Sequence, residues 1–396
     1  MARDRIRKLS STERAYLVLG ELYPPFANQY FWEGSGVLDL PLWRSAVEKA
    51  AESNPGCRLR LEGFLNGARW IDSGEPPLVR EIDGRGWSGM DSDNAGFLRS
   101  PLSPWRGAGH ACEILLIKGD PLRVVFRTHH AVMDGRGTQT LAEDVFRALR
   151  GDPLVGSECS VVEQELARSF QDRDRSASPP RYIAPTGTAD GNERDTRWRR
   201  VRVRGAYRRI VAQVAMLIAR EARAHGAGPV RIGIPVDLRP RQSGLRSTSN
   251  LTNFIYVDVD PKETSIDIDN DIREQLKDRR DGMLYRGDEL MRYMPLRLIR
   301  SLARRRIIGN HRRGLYNASA LISNLGKKEL PDFSGGGFLA TAFWAIPPGA
   351  ELYPYSVVLS GYGDTVEIIV TAPSVMATGG RLERSVDALA RGLVRE

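Results

Sequence analysis

The chain is poor in the residues that usually announce chemistry. Three cysteines (Cys57, Cys112, Cys159) and five histidines are spread over 396 residues. Three thiols with no Cys-x-x-Cys spacing leave one odd, which argues against a disulfide framework and a zinc site and leads us to expect a reducing, cytoplasmic setting. His110, His225 and His311 are scattered and no His-Glu-x-x-His pattern occurs, so no metal is expected. No run of about 18 apolar residues exists, so no membrane-spanning helix is expected. The basic N-terminus "MARDRIRKLSSTERAYL" lacks the apolar stretch and small-residue cleavage site of a secretory signal. There is no Gly-x-Ser-x-Gly elbow, which disfavours a serine hydrolase. The glycines of "DFSGGGFLA" lack the Gly-Lys-Ser/Thr ending of a phosphate loop and read as a turn. Zinc-finger spacing and RNP-type aromatics are also missing, so nucleic acid is not an expected partner.

What is present is arginine and a sizeable apolar fraction. The hydrophobic residues make up 41% of the chain, enough to bury a core of two domains or subdomains. The formal charge is +9. Eight arginines fall in "MRYMPLRLIRSLARRRIIGNHRRG" (Met291 to Gly314), which reads as a basic amphipathic helix packed on the second half of the chain. Its sharper reading is a docking surface for CoA phosphates, an acidic carrier protein or a membrane, with the membrane the less favoured.

Strand and helix signals alternate along the first half. "NQYFWEGSGVLDL" reads as a strand, "PLWRSAVEKAAESNPG" as a helix opening on Pro and closing at Asn-Pro-Gly, and "CRLRLEG" as a strand of period two. "ACEILLIKGDPLRVVFRTHH" reads as a hairpin turning at Gly119-Asp120-Pro121, with Leu122, Val124, Phe126 and Thr128 on one face. "GTQTLAEDVFRALRGD" reads as a helix with Thr140 and Glu143 at capping-box spacing. The Pro-, Gly-, Ser- and charge-rich stretch 171–197 reads as a linker between an N-terminal half, 1–170, and a C-terminal half, 198–396. In the latter, "YRRIVAQVAMLIAREARAHGAG" reads as a helix. "PVRIGIPVDLRPR", "NLTNFIYVDVD", "ALISNLG", "GFLATAFW", "YSVVLSGYG" and "TVEIIVTAP" contribute strands. The whole is α/β, in two halves of similar size.

Against this background one stretch stands out. "RTHHAVMDGRG" (Arg127 to Gly137) sets two adjacent histidines four residues ahead of Asp-Gly, where a strand gives way to a helix. An imidazole with a pKa near ~6.5 can take a proton from an attacking hydroxyl or amine and return it to a leaving thiolate. A glycine beside it lets backbone approach a ligand, and the Asp is placed to brace the loop through an ion pair.

"HHAVMDG" (His129 to Gly135) resembles the HHxxxDG signature of the condensation-domain and CoA-dependent acyltransferase superfamily. "LSSTERAYLV" is similar to the opening segment of that family, with Glu13 where Gln is usual. "NPGCRLRLEG" is similar to its His-Pro-x-Leu-Arg-x-x-Phe stretch, with Cys57 and Leu61 departing from it. "IPVDLRPR" is similar to a second-half segment of several acyltransferase branches. The resemblance implies two chloramphenicol-acetyltransferase-like halves in a V with a central tunnel. It implies His130 as the catalytic base, His129 as mainly structural, Asp134 as the bracing carboxylate with Arg58 as its partner, and Gly135 as the residue keeping the channel open. Donors to a developing oxyanion are poorly marked, and Asn250, Asn253, Ser323 and Asn324 are the candidates.

The implied reaction is transfer of an acyl group from a CoA or carrier-protein thioester to a small-molecule alcohol or amine, without an acyl-enzyme. It belongs to specialised metabolite (natural product) or lipid biosynthesis. Acyl-CoA or acyl-phosphopantetheine would be a co-substrate, and no permanently bound cofactor is expected. The rivals are a free-standing condensation enzyme forming an amide between carrier-bound units, and a non-catalytic module that docks carrier proteins.

Overall fold

The computed structural model describes residues 5–395. Apart from a small three-stranded sheet (Arg5–Lys8, Leu59–Glu62 and Arg69–Asp72), the main elements of the first part are helix α1 (Ser11–Leu22), strand β1 (Ala27–Gly36), helix α2 (Leu40–Ser53), β2 (Leu78–Asp83), β3 (Cys112–Lys118), β4 (Leu122–His129) and helix α3 (Gly135–Arg150). Then come β5 (Thr196–Arg204), α4 (Ile210–His225), β6 (Arg231–Asp237), β7 (Thr252–Asp258) and α5 (Leu296–Arg313). The last part supplies β8 (Ala320–Lys327), β9 (Phe338–Ile346), β10 (Ser356–Tyr362), β11 (Thr365–Pro373) and α6 (Arg381–Gly392).

Two large sheets organise these elements. The first has five strands in the order β9-β1-β4-β3-β2, and the second six in the order β7-β6-β8-β10-β11-β5. The first is antiparallel except for the β2–β3 pair. Its edge strand β9 comes from far down the chain, so a boundary drawn at residue 198 does not separate the sheets cleanly. The stretch 171–197, expected as a linker, is mostly exposed but is anchored at points along its length. Tyr182 and Ala184 are buried, and Asp174–Arg175 pairs with Leu284–Tyr285.

The alternation of β1 sends its side chains to two different interfaces. Trp32 packs edge-on against Phe126 and Phe146 beneath α3. Phe31, on the other face, stacks on Trp344 at 3.8 Å, and Trp344 in turn meets Trp198 of β5. The second face of the first sheet is therefore the seam with the second half.

The β3–β4 hairpin forms where the sequence places it. Helix α3 begins five residues before the expected Thr140. Its N-cap is Asp134, whose side chain accepts from the Gly137 amide, and Thr140 lies buried inside the helix. A carboxylate at the N-cap satisfies an orphan amide and the helix dipole together, so it outcompetes the later Thr-x-x-Glu signal. Conversely, the missed helix α1 carries a complete capping box, Ser10 with Glu13. Helix α5 packs mainly against α1 of the first half rather than against the second half as expected.

The seam also carries charge. Arg200 of β5 donates to Glu33 of β1 and to Glu367 of β11, with contacts of 2.8 and 2.7 Å. Arg123 donates to the same Glu33 at 3.0 Å. All four side chains are buried. Replacing Arg200 with Leu removes the cation the two carboxylates share and leaves Glu33 to Arg123 and Glu367 to Arg202, and we expect it to cost roughly 1.5–3 kcal/mol of unfolding free energy in urea denaturation.

Candidate active site

The strand β4 ends at His129, and the loop that follows is held from three sides. The His130 amide donates to the Phe26 carbonyl at 3.1 Å. The Val132 amide donates to the His129 carbonyl at 2.8 Å. Asn28 donates to the Met133 carbonyl at 2.9 Å. The loop therefore closes into a turn directly ahead of α3.

The two histidines differ in surroundings. His129 is buried, and its Nδ1 accepts from the Ala131 amide at 3.1 Å. Burial pushes its pKa down to about 3, so it is neutral at physiological pH. Its ring fits only because residue 20 is glycine, where a Cβ would lie 2.4 Å from Nε2. His130 instead forms part of a cavity wall. Its ring stacks on Tyr16 of α1 with centroids 4.3 Å apart. Its Nδ1 lies 3.2 Å from the Met133 carbonyl. A carbonyl can only accept, whereas the Asn28 amide, 3.4 Å from the same Nδ1, can donate to it; the shorter Met133 contact favours hydrogen on Nδ1, with Nε2 as the basic nitrogen. Burial lowers the His130 pKa, opposed by the Met133 contact and the nearby Asp134 charge.

Asp134 is a buried junction between the halves. Its Oδ1 accepts from the Gly137 amide at 2.8 Å and from Arg239 Nη2 at 3.0 Å. Its Oδ2 accepts from Arg239 Nη1 at 3.1 Å, the Leu251 amide at 2.8 Å and the Thr252 hydroxyl at 2.9 Å. Arg239 spends its other donors on Asp237 and on the Ser247 and Ser249 carbonyls. The Arg239 charge and these hydrogen bonds outweigh burial and hold the Asp134 carboxyl below its ordinary pKa.

The expected Arg58–Asp134 pair is not formed. Arg58 closes on Asp72, on the neighbouring strand of a small sheet. Residue 58 ends a 3-10 turn next to that strand, so a local carboxylate is within its reach. The real partner, Arg239, sits in "IPVDLRPR", whose likeness to the second half of acyltransferases was the available signal.

A cavity of about 430 Å³ adjoins His130 and draws its wall from both halves. Tyr16 and Leu19 of α1 and Tyr30 of β1 face Phe254, Leu352 and Val358 from the second half across it. A second cavity of about 190 Å³ shares Phe26, Ile346 and Pro347 with this wall. Gly135 lies in the wall of the larger cavity, and a Cβ there would meet the Tyr30 hydroxyl at 2.2 Å. Of the four oxyanion candidates, Ser323 and Asn324 line the cavity. Asn253 does not, and its amide is spent on the Asp281 and Met283 carbonyls. Asn250 is buried away from the cavity wall. The sequence reading did not single out Tyr16, although it lies in "LSSTERAYLV", nor Asn28 or Tyr30, which lie in a strand with no motif of its own.

Two predictions separate the observed pairing from the expected one. Arg239→Ala leaves Asp134 buried without its cation, and we expect a loss of roughly 3–5 kcal/mol in urea denaturation. Arg58→Ala removes a partly exposed pair and should cost about 1 kcal/mol or less. Because the Asp134 pKa is depressed in the folded state, its stabilisation is intact above about pH 4 and is lost as pH falls through the lower folded value. The acid limb of a stability–pH curve should therefore flatten in Asp134→Asn.

No protein-family model matches the chain. Uncharacterized proteins from two strains of Mycobacterium tuberculosis are each 26% identical over 291 residues, 62% of this chain. The match spans 66% of the length of those relatives. Among solved structures, a mutant of the starter condensation domain of rhizomide synthetase RzmA in complex with C8-CoA and Leu-SNAC aligns with a TM-score of 0.67 at 14% identity. That alignment covers 98% of this chain and 93% of the other. The condensation domain of Monacolin K polyketide synthase MokA aligns with a TM-score of 0.64 at 13% identity, over 99% and 98% of the two chains. With two mixed α/β halves and alignment along nearly its whole length, the chain shares the fold of these condensation domains.

Proposed function

We propose that the protein is an acyltransferase that moves an acyl group from a CoA or carrier-protein thioester to a hydroxyl or amine, with His130 as general base. The observation that carries this reading is the setting of His130. Its Nδ1 is engaged by the Met133 carbonyl, its ring is braced by Tyr16, and it forms part of the wall of a cavity built by both halves. A lowered pKa keeps the imidazole neutral and ready to accept a proton at pH 7.

In the proposed step, Nε2 takes the proton of the acceptor hydroxyl or amine as its oxygen or nitrogen attacks the thioester carbonyl. The tetrahedral intermediate collapses, the carbon–sulfur bond breaks, and the thiolate leaves with the proton returned from Nε2. No acyl-enzyme forms. Ser323 lines the cavity, and its hydroxyl is our candidate donor to the oxyanion. The two abutting cavities are the proposed routes for donor and acceptor, together forming the tunnel between the halves. Asp134 and Arg239 act as positioning residues, because every polar atom they offer is engaged within the protein.

Amide formation between carrier-bound units is the second reading. The observation favouring it is that the similar RzmA domain is solved with Leu-SNAC beside C8-CoA. Mass spectrometry of products from acyl-CoA and from loaded carrier protein, each with alcohol and amine acceptors, separates the two. Absence of any product in the wild type would leave the docking-module reading.

His130→Ala should lower turnover by about 10²–10⁴-fold with an unchanged melting temperature. Turnover like the wild type would overturn the proposed base. The pH profile of kcat/KM should be flat at neutral pH and fall on the acid side, with an apparent pKa below about 6.5, as the lowered His130 value requires.

A further inference from the structure

The arginine-rich segment has no role in the chemistry proposed above, and its surface has an unusual composition. Helix α5 buries Ile299, Ile307 and Asn310. On its outer side Leu298 and Leu302, four residues apart and so on one face, are 47% and 48% exposed. The turn before the helix adds Leu290 and Tyr293, 66% and 60% exposed. Four large apolar side chains thus lie open to solvent within 13 residues of chain. Interleaved with them are Arg292, Arg297, Arg300, Arg304 and Arg305.

These arginines are largely unneutralised. Among the described residues, Arg300 alone of the eight between Met291 and Gly314 forms an ion pair, with Glu21 at 3.0 Å. Some exposed cations elsewhere on the surface are paired, as Arg85 is with Asp83 and Arg106 with Glu62. Unpaired cations around exposed leucines match an interfacial helix, in which apolar side chains enter the headgroup layer while arginines meet lipid phosphates. An acidic protein partner would account for the cations. The anionic bilayer accounts for the cations and the four apolar side chains together.

The location gives this face a use. Arg14 of α1 donates to the Met291 and Met294 carbonyls, and Glu21 of α1 pairs with Arg300. Ala15, Tyr16 and Leu19 of the same helix line the cavity at His130. One helix therefore separates the arginine-rich face from the cavity. We infer that α5 and its preceding turn dock the protein on an anionic membrane surface, placing the cavity within reach of lipid-borne substrate.

Vesicle co-sedimentation tests this without reference to the proposed reaction. The intact protein should sediment with vesicles of phosphatidylglycerol and phosphatidylcholine in equal parts, and not with phosphatidylcholine alone. Added salt should weaken binding. Arg297→Glu with Arg304→Glu should lower the partition coefficient by at least about 25-fold, at about fivefold for each cation lost. Leu298→Ser with Leu302→Ser should lower it independently. Both double variants should keep the wild-type melting temperature and turnover of a water-soluble thioester, since neither touches the cavity wall. Failure of the wild type to sediment with anionic vesicles would overturn the inference, as would variants that bind like the wild type. Loss of binding to an acidic carrier protein in the same variants, with no vesicle binding by the wild type, would reassign the face to a protein partner.

Discussion

The placement of the two halves rests on buried charge. At one end of the seam Asp134, the cap of α3, is gripped by Arg239 and by the Leu251 amide and Thr252 hydroxyl. At another Glu33 and Glu367, one from each sheet, share Arg200. Between the sheets lies the aromatic contact of Phe31, Trp344 and Trp198. Apolar packing supplies most of the attraction but little direction. The charge pairs supply direction, because each is tolerable in the interior only when its geometry is complete. The cavity at His130 has walls from both halves, so its shape depends on those pairs being made.

The same reasoning separates the roles of neighbouring residues. His129 and His130 are adjacent, yet one ring fills a niche left by Gly20 and the other faces open space. Asp134 sits four residues on but serves the structure, with no free lone pair directed at the cavity. The His130 ring is oriented by the Met133 carbonyl, held in the turn that Asp134 terminates, and by Asn28, which donates to that carbonyl.

Much of the fold was legible because its signals are local. The period-two strands, the Gly119-Asp120-Pro121 hairpin and the helices closing at Gly151 and Gly226 all form. The site motif was legible for the same reason, being seven contiguous residues. What escaped was non-local. Arg58 and Arg239 are both arginines in polar stretches, and only the fold decides which one meets Asp134. The start of α3 was misplaced because a carboxylate cap with no acidic residue three positions later leaves no paired signal. The cavity wall was beyond sequence reasoning, since Tyr16, Phe254 and Val358 are ordinary apolar residues until the two halves meet.

Strand β9 pairs along β1 from Phe338–Gly36 to Ile346–Gln29, a span of some three hundred residues in the chain. The ladder edge of β1 therefore stays open during synthesis until residues 338–346 have emerged. Until then Phe31 and Trp32 belong to a strand with an unpaired edge, the kind of surface that recruits other chains. The late return of β9 makes the first sheet of this protein dependent on residues made some three hundred positions after β1, and chains that stop before them would present a sticky intermediate rather than a finished domain.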